Sequence, residues 1–251
     1  MCSANAGLES DVMHPPALAV INLACGYTDR PAVLQGVSLV VHPAERVGLI
    51  GPNGSGKTTL FLAICGILKP QAGTVALFGQ AVVAGQFYPS VGMLFQNPDE
   101  QLFCPSVRDD IAFGVVNLGL APAEVAARVA QAMEQTGVSH LADRVPHHLS
   151  GGEKRMVAIA GVIAMQPRLI LYDEPDAYLD RRARRRLVQF LLTHPAASLI
   201  ASHDLELIAE VCQRVVVLDE GRLVADGLPP DILSNAALME RHGLEVPSIY
   251  R

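Results

Sequence analysis

The sequence has no apolar run approaching the roughly 20 residues that a membrane-spanning helix requires. Its longest runs, Leu60 to Leu68 and Met156 to Met165, stop well short of that length, so the chain is not expected to cross a bilayer by itself. Met1 to Pro16 contains Glu9 and Asp11 but no basic stretch leading into an apolar one. That excludes a secretory signal and reads as a flexible N-terminus. The five cysteines (Cys2, Cys25, Cys65, Cys104, Cys212) form no C-x-x-C pair, which argues against a disulfide framework or a zinc site and suits a reducing compartment. Among eight histidines the adjacent His147 and His148 lack a further ligand at metal-site spacing. The net charge of -6 disfavours a nucleic-acid footprint, so no nucleic-acid partner is expected. Internal repeats, low-complexity tracts and long heptad runs are also missing, which disfavours a repeat array or a coiled-coil arm. These absences point to an acidic, cytoplasmic protein.

What is present is apolar patterning. The chain has 251 residues, half of them hydrophobic, enough to bury the core of one domain with an inserted lobe. Short aliphatic runs bounded by Gly or Pro alternate with helical patterns, which predicts an α/β domain with a largely parallel sheet. Strands are expected at Ala17 to Leu23, Val37 to Val41, Arg46 to Ile50, Thr74 to Phe78, Val91 to Phe95, Leu169 to Tyr172, Ser198 to Ser202, Val215 to Leu218 and Arg222 to Ala225. Asp219, Glu220 and Gly221 between the last two signal a hairpin. Between about 97 and 153 the strand signal vanishes. There Val125, Val129 and Met133 recur four apart, Pro122 suits a first helical turn and Gly137 a helix stop, predicting a helical lobe.

The strongest chemical signal is Gly51, Pro52, Asn53, Gly54, Ser55, Gly56, Lys57, Thr58. It fits G-x-x-x-x-G-K-[ST] after one strand and before a helix near Lys57. Glycines let successive backbone N–H groups face phosphate oxygens, and the helix N-terminus adds partial positive charge. Lys57 would bridge the outer phosphates and the Thr58 hydroxyl would bind Mg²⁺. A second signal is the apolar run Leu169 to Tyr172 ending in Asp173 and Glu174. Asp173 can hold Mg²⁺ and Glu174 can polarise an attacking water. His203 and Gln96 each follow a predicted strand, and strand carboxyl ends in open α/β sheets border the ligand crevice. A lone His at a strand end is more often a structural residue than a catalytic one.

With Leu149, Ser150, Gly151, Gly152, Glu153 added, the chain resembles the ABC ATPase family. Ser150 and two glycines at a helix start form a second anion-binding N-terminus. The resemblance runs from Tyr27 to about Gly227. It implies an α/β P-loop NTPase fold of the ABC ATPase type, with a mostly parallel core sheet, an N-terminal antiparallel β subdomain and an inserted helical lobe. The implied division is 1–16 flexible N-terminus, 17–96 and 154–227 ATP-binding core, 97–153 lobe and 228–251 C-terminal helical extension. It further implies ATP and Mg²⁺ as ligands, with ATP hydrolysed to ADP and phosphate. Tyr27 would stack on adenine, and the loop from Gly51 through Thr59 would hold phosphate. Thr58, Gln96 and Asp173 would attend the metal, while Lys57, Gln96, Glu174 and His203 would act in catalysis. Ser150, Gly151, Gly152 and the interface aspartate Asp180 would serve a nucleotide shared across a head-to-tail dimer, homomeric or with a sister ATPase.

Within that family, Phe95 to Phe103 and Asp110 to Gly114 resemble energy-coupling-factor importers for cobalt, nickel or vitamins. That implies a transmembrane coupling subunit, a substrate-binding membrane subunit and a place on the cytoplasmic membrane face, with Leu102 and Phe103 near the coupling subunit unless they simply pack in the lobe. Two residues depart from the family pattern: Asp176, a further carboxylate beside the site, and Tyr178, added bulk in the interface loop. They leave open a subunit that binds without turning over. A soluble ABC ATPase uncoupled from transport is the other alternative. The cluster Arg181, Arg182, Arg184, Arg185, Arg186 reads as a solvated helix face or a contact for acidic lipid or an acidic partner.

Overall fold

The structure is a computed structural model describing residues 15–177 and 179–251. The expectations for residues 1–14, Cys2 among them, and for Tyr178 therefore lie outside the described residues.

Two sheets organise the chain. β1 (Leu18–Cys25), β2 (Leu34–Val41), β4 (Ala72–Leu77) and β5 (Gln80–Ala81) form an antiparallel sheet in the order β2-β1-β4-β5. The second sheet contains β3 (Arg46–Ile50), β6 (Val91–Leu94), β7 (Leu169–Asp173), β8 (Ala197–Ala201), β9 (Arg214–Asp219) and β10 (Arg222–Gly227), in the order β10-β9-β3-β8-β7-β6. Its pairings are parallel except for the β9–β10 hairpin. Burial explains the difference between the sheets. β7 and β8 are buried along their whole length, as continuous apolar runs must be when both faces are covered, whereas β2 alternates. Glu220 and Gly221 turn the hairpin with φ of 45° and 75°, the left-handed pair that suits a tight right-twisted ribbon.

The period of two sorts the core. Ile170 and Tyr172 face one layer with Ile50, Ile200 and the lobe helices, while Leu169 and Leu171 face the other with Leu60, Phe61 and the antiparallel sheet. The helix α1 (Lys57–Ile64) belongs to this second layer, so the element that follows the glycine loop is gripped from both sides. Between β6 and β7 lie α2 (Val107–Asn117), α3 (Pro122–Thr136) and α4 (Gly151–Ala164), without a strand among the described residues. α3 starts at Pro122 and ends at Gly137, whose φ is 71°, and it buries Val129 and Met133. α5 (Arg181–Thr193) turns Leu187, Val188, Phe190 and Leu191 inward and its arginines outward. After α6 (Leu205–Val211) and the hairpin, α7 (Pro229–Leu233) and α8 (Ala236–Arg241) close the chain. His242 Nδ1 lies 2.7 Å from Asp219 Oδ2 and ties the end of α8 to the end of β9.

Candidate functional site

β3 ends at Ile50, and the next six residues turn sharply into α1. Two glycines are required there. A Cβ on Gly51 would lie 1.9 Å from the Leu218 carbonyl oxygen, and at Gly56, with φ of 111°, it would lie 2.7 Å from Leu34 Cδ2. The loop thus packs directly on β9 and β2. The buried Ser55 hydroxyl inside it has no protein partner, a polar orphan of the kind that a bound anion satisfies. Lys57 is buried, and its ammonium donates to the carbonyls of Gly51 at 2.8 Å and Pro52 at 3.1 Å. Burial lowers its pKa, against the pull of the Glu174 and Asp173 carboxylates.

Thr58, next on α1, donates its hydroxyl to Asp173 Oδ2 at 2.7 Å. Asp173 stands at the buried end of β7, and burial raises its pKa while the Thr58 hydrogen bond opposes that rise. Among the described residues no three His, Cys, Asp or Glu side chains converge on a metal site. A hydroxyl beside one carboxylate still suits a hard cation such as Mg²⁺, which binds few protein oxygens and completes its shell with phosphate and water. The residues present fit that ion and a triphosphate.

Glu174 follows with φ of 47°, its N–H bonded to the Ala201 carbonyl at 2.8 Å. This strained conformation turns the side chain out of the sheet toward two partners. Gln96 Nε2 donates to Oε2 at 2.7 Å, and His203 Nε2 lies 3.0 Å from Oε1. Two separately predicted residues, each beyond its own strand end, therefore meet on the carboxylate of a third. Tyr27 OH lies 3.3 Å from Thr59 Oγ1 at the far rim. Tyr27, Asn53, Gly54, Gly56, Lys57, Thr58, Thr59, Gln96, Asp173 and Glu174 line a cavity of about 510 Å³, joined by Asp29, Arg30 and Val33, which the sequence did not single out. A second hollow, of about 440 Å³, opens at the opposite, amino-terminal strand ends beside Phe78, Arg168 and His194, with no carboxylate in its lining.

Ser150, Gly151, Gly152 and Asp180 do not line the cavity in one copy of the chain. Ser150 caps α4 in a reciprocal box with Glu153: its Oγ accepts from the Glu153 N–H at 3.4 Å, its backbone N–H donates to Glu153 Oε2 at 2.8 Å, and its hydroxyl also lies 2.7 Å from that oxygen. Those bonds hold the Glu153 carboxyl below its ordinary pKa. Gly152 permits the close approach of α5, since a Cβ there would lie 2.9 Å from Ala183 Cβ. Asp180 caps α5 by accepting from the Ala183 N–H at 2.7 Å.

Other expectations come out differently. Asp176 is half-buried outside the cavity lining but close enough to Glu174 to feel its charge, accepts from the Ser202 hydroxyl at 2.7 Å, and has its pKa raised chiefly by burial. Leu102 is 4% exposed and packs in the core, whereas Phe103 is 60% exposed and meets Phe113 edge-on, with ring centroids 4.9 Å apart. Asp110 Oδ1 accepts from the N–H groups of Phe103 and Cys104, joining the two segments whose sequences had been read together. Arg184 is engaged by Asp204 and Glu210, so the arginine cluster is not uniformly solvated. Sequence reasoning missed Arg155, which is 1% exposed and sends Nη1 to the Phe95 carbonyl at 2.7 Å and Nη2 to the Gln96 carbonyl at 2.6 Å. A cation followed at once by the apolar run from Met156 was the available signal.

Comparison with known proteins agrees with this geometry. A protein-family model described as ABC transporter matches residues 34–177. A putative ABC transporter ATP-binding protein from Synechocystis sp. is 56% identical over 93% of this chain and 82% of its own length. The energy-coupling factor transporter ATP-binding protein EcfA from Methanothermobacter thermautotrophicus is 45% identical, over 90% and 75% respectively. Among solved structures, cbiO1 from Clostridium perfringens, described as part of the ABC transporter complex cbiONQ, superposes with a TM-score of 0.80 at 34% identity, covering 94% of this chain and 98% of that one.

Proposed function

Because this chain belongs to the ABC transporter family as an ATP-hydrolysing subunit, we propose that two ATPase copies, identical or sister, clamp ATP between the glycine loop of one and the Ser150 helix start of the other. Closure of the pair then drives an energy-coupling-factor importer. The observation that carries this reading is the meeting of Gln96, Glu174 and His203 beside the Thr58–Asp173 pair at the mouth of the loop.

The loop amides and the α1 N-terminus receive the β- and γ-phosphates, and the Lys57 ammonium turns from its two carbonyls to them. Thr58 and Asp173 hold Mg²⁺, which neutralises charge on the phosphate oxygens when bound. Glu174 orients a water and accepts its proton as the water oxygen bonds in line to the γ-phosphorus. The bond to the β–γ bridging oxygen breaks, ADP keeps that electron pair, and phosphate is released. His203, on the other Glu174 oxygen, fixes the carboxylate and faces the γ-phosphate, and Tyr27 stacks on adenine. Ser150, Gly151 and Gly152 close on the triphosphate from the opposite copy, with Asp180 at the interface.

The importer reading rests on the printed character of the relatives and on the resemblance of residues 95–103 and 110–114. No described helix is long and apolar enough to cross a membrane. In this reading the chain sits on the cytoplasmic face against a coupling subunit, with exposed Phe103 and Phe113 at the contact. Cobalt, nickel or a vitamin is the proposed cargo, selected by a separate membrane subunit. Copurification with an integral subunit, followed by ATP-dependent uptake of cobalt or nickel into vesicles, tests this. Stimulation of turnover by ribosomes or DNA ends would overturn it. Removing the Glu174 proton acceptor costs a few kcal/mol, about two to three decades in rate. Equal rates for wild type and Glu174→Gln would instead make this a binding-only subunit.

A further inference from the structure

Arg155 is the largest fully buried side chain among the described residues. Burying a guanidinium is costly unless its donors are used, and an aliphatic residue would fill the same space. Two of its nitrogens hold successive carbonyls, those of Phe95 and Gln96, while Nε has no partner. The fork therefore fixes the peptide that carries Gln96 rather than any side chain. One residue earlier on α4, Lys154 Nζ meets Asp99 Oδ1 at 2.7 Å, a second tie to the same segment. Both anchors sit within about 7.5 Å of Ser150 along the helix axis, five residues at 1.5 Å each. At the other end of this path, Gln96 and His203 together engage both oxygens of Glu174, leaving the carboxylate occupied where a water must be activated.

We propose that Arg155 is a positioning residue that couples the phosphate-facing end of α4 to the freeing of Glu174 by Gln96. When Ser150 engages the triphosphate of the opposite copy, α4 shifts, the Arg155 fork carries the 95–96 backbone with it, and the Gln96 amide leaves the Glu174 carboxylate. Each active site is thereby released only when its own α4 has found nucleotide on the other copy. The inference rests on the two-copy reading above and adds the element that transmits it.

A double-mutant cycle on steady-state ATP hydrolysis by the full chain tests it. Arg155→Lys keeps the charge and loses the planar fork, and it should lower kcat about 10- to 100-fold with the KM for ATP within about twofold. Gln96→Ala should abolish that difference, so that the double variant is no slower than the slower single one, which a merely structural role would not produce. Because Arg155→Lys can impair folding, Lys154→Met supplies a second series. It should keep the wild-type melting midpoint and slow turnover about two- to fivefold, again only while Gln96 is present. Losses that multiply in both series, or a raised KM at unchanged kcat, would overturn the coupling. ATP-dependent dimerisation of Glu174→Gln is measured alongside: a dimer with multiplying losses removes the coupling alone, and a persistent monomer removes the two-copy reading and the coupling with it.

Discussion

Gly51→Ala puts the geometry of the phosphate loop under direct test. The added Cβ would stand 1.9 Å from the Leu218 oxygen and 3.0 Å from Ser55 Oγ. Taking about 3.3 Å as a normal C···O approach, something must move by about 1.4 Å. Leu218 is held on β9, which pairs with β3 on one side and β10 on the other, so the loop yields instead. Overpacking of this kind costs about 1–3 kcal/mol, which for a chain of this size lowers Tm by about 3–10 °C. A displacement near 1 Å at a positioning element costs about a hundredfold in turnover. Gly54→Ala is the control, because nothing lies within 4 Å of its Cβ and only its φ of +78° is strained. That strain costs about 1–2 kcal/mol, with a smaller loss of ATP affinity. Thermal unfolding and titration with ATP·Mg²⁺ read both quantities. A Gly51→Ala protein that bound ATP within twofold of wild type and turned over normally would refute the packing account of the loop.

Asp176→Asn should stabilise the fold at pH 7. Burial raises this carboxyl's pKa, so its ionised form is penalised in the folded state, while Asn still accepts from Ser202. The advantage should vanish below about pH 4, where the wild-type group is itself neutral, and Tm against pH checks both limits. Leu102→Ala should destabilise by about 2–5 kcal/mol in a denaturant titration, whereas Phe103→Ala, which loses only its edge-on contact with Phe113, should cost about 0.5–1.5 kcal/mol and weaken copurification with the membrane subunit. Gly152→Ala should lower Tm through the Ala183 contact, and Ala183→Gly should restore part of the loss because the two changes share one space.

The central sheet was legible because physics leaves little choice there. Leu169 to Tyr172 is a continuous apolar run and Leu199 to Ala201 a shorter one bounded by serines, the pattern of doubly covered strands, and β7 and β8 match the expected Leu169 to Tyr172 and Ser198 to Ser202 within a residue. The glycine loop was legible for the same reason, since few backbones other than a phosphate cradle need that spacing. The two-residue β5 was not, because so short a pairing has no period to detect. Leu102 and Phe103 could not be told apart, as adjacent apolar residues after a single 3-10 turn carry no face information. The cap at Ser150 is written in Glu153 three residues on, whereas the Asp180 cap is met by a backbone N–H that no sequence displays, and a cap motif alone does not say whether a ligand also arrives. Arg155 was invisible as a clamp because its partners are backbone carbonyls, which sequence cannot display.

The clamp of one nucleotide between two copies is tested most directly by the mass of purified Glu174→Gln in solution, with saturating ATP and Mg²⁺ and again without them. The account predicts a shift from monomer to dimer that needs nucleotide and is lost when Ser150→Arg is added. A species whose mass did not change with ATP while nucleotide binding was retained would contradict it.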